Sequence, residues 1–470
     1  MDILNRIDNS DNQICIRLDQ TSVSYKDIHG VTKINQLFIK KYIRVRETKG
    51  QPVVFVDTLL GWKLIPIYLA CMEERITVIP VDFANSPNLS KKILSEISGL
   101  LIKSDHVDDK GRLKEVSLNN KIINYKILDD VAFVLYTSGT TQRPKGVMLT
   151  YNNIISNAEQ IIERLQVSKE DRLLIVRPLF YASSITGEIF SGLLSGSSFV
   201  FKDYLKSPLQ SIKLVEKHKI NSMFLTPSLM VKLLQMRNKG HFKSLKKLVL
   251  SGERLYFAQY LNIAQSLPSN VQIYNAYGLT EASPRISIEH IHDSFQEASV
   301  GYPLNNVKTK ITNRHGRKVP KGEKGYLHVK GPNVMKGYFR QKRLTEKMIN
   351  DGWLNTNDIA SIIEDRLYIY GRADNTFIRN GVNIQLEEIE ELLRSTPYVE
   401  DTIVVKEEKN NKLYEIIAKI VPTNIYDQVL LRKEIQKWDK KLWPDRIIIH
   451  QDMPNTMTGK LSRLTEKNTE

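Results

Sequence analysis

The chain is 470 residues long, too many for one compact core, so two or three domains are expected. Its 41% hydrophobic and 26% charged residues are ordinary for a globular protein in water, and no uninterrupted apolar run is long enough to span a membrane. Lys+Arg at 68 against Asp+Glu at 52 gives a net charge of +16, but the lysines are scattered rather than blocked, which argues against nucleic acid and suits smaller or acidic anionic partners.

The first residues, MDILNRIDNSDNQ, are polar and acidic, unlike a signal peptide. Cys15 and Cys71 form neither a disulfide framework nor a zinc pattern, and they suit a reducing cytosol. A soluble, cytoplasmic protein is therefore expected. Residues 53–82 read strand, helix, strand. Apolar residues 131–135 read as another strand, and they enter LYTSGTTQRPKGVMLT at 135–150. Thr137, Ser138, Thr140 and Thr141 surround Gly139, with Lys145 just beyond, a set of hydroxyls and an ammonium suited to a polyphosphate. Ile154, Ile155, Ala158, Ile161, Ile162 and Leu165 then fall on one helical face. Strand, glycine-hydroxyl loop and helix together predict an anion site. Pro144 precedes the lysine where a P-loop needs glycine, so this is not that motif. A polar surface turn is the plain alternative.

Strand-like and helical segments alternate from 173 to 251, the rhythm of an α/β protein with largely parallel sheets. After about residue 299 come short strands broken by Gly and Pro, which predict a β-rich subdomain. A boundary is expected near 372–374. Beyond it, a helix at 386–395, strands at 401–407 and 414–422 and a helix near 429–441 predict a compact α+β unit. The expected domains are thus 1–372 and 373–470.

Several short patterns are each weak alone. YGLTE at 277–281 offers a ring for a purine and a carboxylate for Mg²⁺. GWLNTND at 352–358 ends in an aspartate that, closing a strand, can grip a ribose or merely cap a turn. YGRADNTFIRNGVNI occupies 370–384. PNTMTGKLSR at 454–463 places Lys460 in a glycine-containing loop, where a lysine is usually only solvated. In this order the patterns resemble the adenylate-forming, AMP-binding superfamily of acyl- and aryl-CoA ligases and adenylation enzymes, from near Ser22 to Arg463.

The resemblance implies a large α/β N-terminal domain of stacked sheets and helices with a β-rich subdomain, and a small mobile α+β C-terminal domain. It implies a carboxylate attacking the α-phosphate of ATP, then transfer of the acyl group to a thiol. By similarity, Thr137 to Thr141 and Lys145 would hold the β- and γ-phosphates. Gly252, Glu253, Asn275, Ala276 and Tyr277 would line the adenine, Thr280 would touch the α-phosphate and Glu281 would hold Mg²⁺. Asp358 would grip the ribose with Arg372 nearby, Asp374 would be the hinge, and Lys460 would enter the site for adenylation. Charge gathers where carboxylate meets phosphate, so a lysine and Mg²⁺ there would offset it.

Gln142 and Asn357 stand where glycine is usual, and Asn tolerates the left-handed backbone such a position needs. Ile378 stands where many relatives have lysine. The segment PLFYASSITGE at 178–188 matches the acyl pocket, with Phe180, Tyr181 and Ser184 as its expected wall. Tyr181 offers no counter-charge for an amine, so an uncharged acyl or aryl acid is expected in preference to an amino acid. ATP, Mg²⁺ and CoA are the implied cofactors. A phosphopantetheinyl carrier protein is the alternative acceptor, and a non-catalytic nucleotide- or acyl-binding protein the alternative class.

Overall fold

The computed structural model describes residues 3–451 and 453, except 8–12, 19–20, 44–49, 121–122, 138–143, 203–207, 237–241, 292–294, 380–381 and 410–412. Among the described residues, two large sheets form most of the molecule. In the seven-stranded one, Val53–Asp57, Thr77–Val81 and Val131–Thr137 run parallel, their inner residues sealed on both faces. Near-continuous runs of Val, Ile, Leu and Phe are what such doubly covered strands require.

The fourteen-stranded sheet includes the parallel strands Ser198–Phe201, Arg172–Ile175, Ser222–Leu225, Lys247–Ser251 and Gln272–Gly278. It then turns antiparallel through Arg285–Ile291 and Ser299–Pro303 to Arg366–Arg372, Trp353–Ile363 and Gly325–Lys330. The strands after residue 299 thus extend the same sheet.

The helix Tyr151–Leu165 buries Ile154, Ile155, Ala158, Ile161 and Leu165, the face predicted from periodicity. Thr150 caps it, with Oγ1 accepting from the Asn153 amide at 3.1 Å while the Asn153 side chain returns a bond to the Thr150 amide. A different local prediction fails here. The strand Lys145–Thr150 pairs antiparallel with Val131–Thr137, with Thr137 opposite Lys145. The helix therefore begins a full strand after the glycine-hydroxyl segment, at the opposite end of this strand pair, too far for its N-terminus to serve as the anion site.

Beyond residue 375 the chain forms the two-stranded sheet Thr376–Arg379 and Val382–Gln385, the helix Leu386–Arg394 and a three-stranded sheet built on Val399–Lys409 and Leu413–Pro422. The last helix, Gln428–Gln436, is shorter than expected, since Asp439 starts a separate 3-10 turn at Lys440–Leu442. Phe377, Ile384, Ile389, Leu393, Val404 and Leu431 join a cluster distinct from those of the large sheets. No helix of the described residues is long and apolar enough to cross a membrane.

Candidate active site

The strand Gln272–Gly278 carries Asn275, Ala276 and Tyr277 toward its C-terminal end, inside the large sheet. Its parallel neighbour ends at Ser251, opposite Ala276, so Gly252 and Glu253 begin beside Tyr277. Gly252 has φ +92°, a conformation that suits glycine and turns the chain sharply after the strand. Asn275 is buried and donates through Nδ2 to the Ser299 carbonyl at 2.8 Å, which ties the parallel and antiparallel parts together. The Glu253 carboxylate accepts from the Ser228 hydroxyl at 2.7 Å.

Across the site, Asp358 faces Tyr277. The Tyr277 hydroxyl donates to Asp358 Oδ2, and the Arg372 guanidinium lies 3.6 Å from Oδ1. Burial raises the Asp358 carboxyl above its ordinary range, while Arg372 and the Tyr277 hydrogen bond work in the opposite direction. Arg372 also donates to the Thr356 carbonyl at 3.1 Å and lies 3.5 Å from Asp374. Asp358 does not close a strand as the sequence suggested. It sits within the strand Trp353–Ile363, paired with Arg372. Its backbone turns at Asn357, where φ is +61°. The Thr356 hydroxyl then accepts from the Asp358 amide at 3.1 Å.

Thr280 and Glu281 lie on the 3-10 turn Thr280–Ala282. The Tyr338 hydroxyl donates to Glu281 Oε1 at 2.8 Å, and Lys145 Nζ lies 5.8 Å from the Tyr338 ring centre. Tyr338 belongs to the short strand Gly337–Tyr338, added to the edge of the strand pair, opposite Val147. It joins Glu281 to the strand Lys145–Thr150. Its partners are distant in the chain, and no pattern around it singles it out; Thr356 lies inside the GWLNTND pattern but was not picked out from it. A single carboxylate beside a polyphosphate fits Mg²⁺, which takes one or two protein carboxylates and fills its shell with phosphate oxygens and water. No three-ligand cluster that could hold a metal by itself occurs among the described residues.

Structure thus brings Thr137, Lys145, Gly252, Asn275, Ala276, Tyr277, Thr280, Glu281, Asp358 and Arg372 to adjoining strands and turns. Ser138, Gly139, Thr140, Thr141 and Lys460 lie outside the described residues, as does Gln142. Phe180 and Tyr181 form a half-buried pair with ring centres 4.0 Å apart, and burial raises the Tyr181 phenol, which stays neutral. Ser184 is buried and leads into a π-helical turn, Ile185–Phe190.

A family model described as "AMP-binding enzyme" matches residues 49–339. A feruloyl-CoA synthase of Amycolatopsis sp. is 29% identical over 285 residues, 59% of this chain and 57% of that protein. The match therefore spans little more than half the length of that relative. A D-alanine–D-alanyl carrier protein ligase of Bacillus mycoides (strain KBAB4) is 26% identical over 435 residues, covering 85% of this chain and 86% of that one. The fold is shared with an o-succinylbenzoate CoA synthetase from Bacillus subtilis solved in complex with an acyl-adenylate intermediate. Its TM-score is 0.80 at 23% identity, covering 100% of this chain and 98% of that one.

Proposed function

From the premise that the chain belongs to the AMP-binding enzyme family, matched over residues 49–339, we propose that it is an ATP-dependent ligase. It joins a carboxylic acid to AMP and then passes the acyl group to the thiol of CoA. The observation that carries this reading is the network of Tyr277, Asp358 and Arg372, set beside Glu281, Tyr338 and Lys145. One half suits a nucleoside and the other a metal-bound polyphosphate.

In this reading the Tyr277 ring packs on the purine and Asp358 accepts from the ribose hydroxyls. Tyr338 holds one oxygen of Glu281 and so orients the carboxylate toward Mg²⁺, which when bound offsets phosphate charge. Lys145 and the hydroxyls of the glycine-hydroxyl segment hold the pyrophosphate to be released. No general base is required, because the attacking carboxylate is already ionised at neutral pH. Residues 373–470 act as the mobile domain that brings Lys460 to the site, with Asp374 as its pivot. A reducing cytoplasm is the proposed setting, in keeping with two buried, free cysteines.

Carboxylate-dependent exchange of labelled pyrophosphate into ATP, run across a broad acid panel, is the test. Exchange with some acids and not others is expected, and none across the panel rejects the reading. The 86% coverage of a carrier-protein ligase favours a second reading, in which the acceptor is a carrier-bound phosphopantetheine. Comparing thioester formation on CoA with that on a holo-carrier separates the two.

A further inference from the structure

Behind the expected acyl wall lies a charged cluster that adenylate formation leaves unused. Arg177, Glu188 and Arg285 are 7%, 0% and 3% exposed. Arg177 Nη2 donates to Glu188 Oε1 at 2.6 Å, which satisfies one ion pair. Arg285 has no such partner: its Nε and Nη2 are both buried without a hydrogen bond, as are Glu188 Oε2 and Arg177 Nε. The cluster therefore holds two positive charges against one negative. Burial, with Arg177 adding to it, lowers the Arg285 guanidinium to about 9, while Glu188 acts in the opposite direction.

Such an arrangement is costly. Buried charges in folded proteins are paired, and buried donors without acceptors are few. The Arg285 backbone is fixed from two sides. Asn157 Nδ2 donates to its carbonyl at 2.9 Å and Asn157 Oδ1 accepts from its amide at 3.0 Å. Asn333 Nδ2 donates to the same carbonyl at 3.0 Å. Arg285 also stands opposite Gly278, so its strand runs directly beside the strand that carries Tyr277.

The guanidinium lies beside Gly187. A Cβ placed on Gly187 would have its three nearest atoms in that one group, with Nη2 at 3.5 Å, an ordinary contact distance. Gly187 and Glu188 belong to the π-helical turn that follows Ser184. Extra-residue turns of this kind are rare and recur at functional sites.

We propose that Arg285 is the counter-charge for a second carboxylate on the substrate, so that the acid activated by this enzyme is a dicarboxylic acid. One carboxylate is adenylated, and the other, at the far end of the pocket, completes the charge of the Arg177–Glu188–Arg285 cluster. This revises the expectation of an uncharged acyl group, which rested on Tyr181 alone, and it rests on the ligase reading above.

The experiment compares length-matched acids in pyrophosphate exchange with the wild-type protein, hexanoate against adipate and benzoate against terephthalate. A charge-assisted hydrogen bond to the far carboxylate predicts that kcat/KM for the diacid exceeds that for the monoacid by about 10- to 100-fold in at least one pair. Arg285→Met then brings that ratio toward unity, and Arg285→Lys restores part of it. Equal use of monoacid and diacid by the wild type overturns the proposal while leaving the ligase reading intact. So does a ratio unchanged in Arg285→Met, or a variant whose only defect is a raised KM for ATP. Should Arg285→Met fail to fold, the wild-type ratio decides. Exchange with no acid at all removes the ligase reading and this proposal with it.

Discussion

In the proposed reading, Asp358 is the residue on which nucleotide binding turns most sharply. It is buried and held by Tyr277, and its remaining oxygen faces Arg372 at 3.6 Å. Asp358→Asn keeps the shape but removes the charge and one accepting oxygen. Hydrogen bonds to a charged acceptor contribute about 1.5–3 kcal/mol, so KM for ATP in the exchange assay is expected to rise about 10- to 100-fold. A rise well below that would place the ribose elsewhere. Tyr338→Phe should act on the metal instead: Glu281 loses its 2.8 Å donor, and the Mg²⁺ concentration for half-maximal exchange rises while KM for the acid does not. Asn357 is a purely conformational case. Its φ of +61° bears out the expectation that asparagine here replaces glycine by tolerating left-handed backbone. Asn357→Gly is expected to be nearly neutral, and Asn357→Val to destabilise by about 1–2 kcal/mol in denaturant unfolding.

At the scale of elements, the segment Lys145–Thr150 is where chain pattern and structure part. Residues 145–150, KGVMLT, sit inside a motif whose glycines and hydroxyls drew attention, and six residues are too few for periodicity to separate a strand from a loop. Only their pairing with Val131–Thr137 makes them a strand. The long helix after them was legible because its apolar stripe repeats over four turns, and the buried parallel strands because both their faces are apolar. By contrast, the bond from Tyr338 to Glu281 and the cluster around Arg285 join residues far apart in sequence, which local spacing cannot report. The strand pairing has a consequence for Thr150. Were the helix N-terminus the anion site, losing its cap would impair ATP binding. Because a strand separates the two, Thr150→Ala is expected to cost about 1 kcal/mol of stability and leave KM for ATP unchanged. Unfolding curves and exchange kinetics on the same preparation check both halves.

At the scale of the molecule, the segment after residue 375 has its own apolar cluster and meets the rest of the chain through several polar groups. Arg254 bridges Glu297 at 3.2 Å and Glu391 at 2.8 Å, the Tyr256 hydroxyl donates to Glu390 at 2.9 Å, and Arg394 lies 4.1 Å from the Tyr256 ring centre. Ion pairs and hydroxyls can be broken and remade with water, whereas a large apolar interface resists sliding. The contacts therefore suit a segment that docks and leaves. If it swings about Asp374, Lys460 serves one half-reaction and is withdrawn for the other. Lys460→Ala should then reduce adenylation by about 10²- to 10³-fold, the usual loss when one donor to a charge-gathering transition state is removed. Thioester formation from supplied acyl-adenylate should remain nearly unchanged, because that step has already released pyrophosphate and develops its charge at the acyl carbonyl. Measuring both half-reactions on one variant isolates the swing from a general defect: a misfolded or rigid protein loses both, and equal loss would remove Lys460 from the role. Arg254→Met provides the complement. It weakens the docked arrangement without touching nucleotide or acid, so the two half-reactions should change unequally, while pyrophosphate exchange keeps its acid preference.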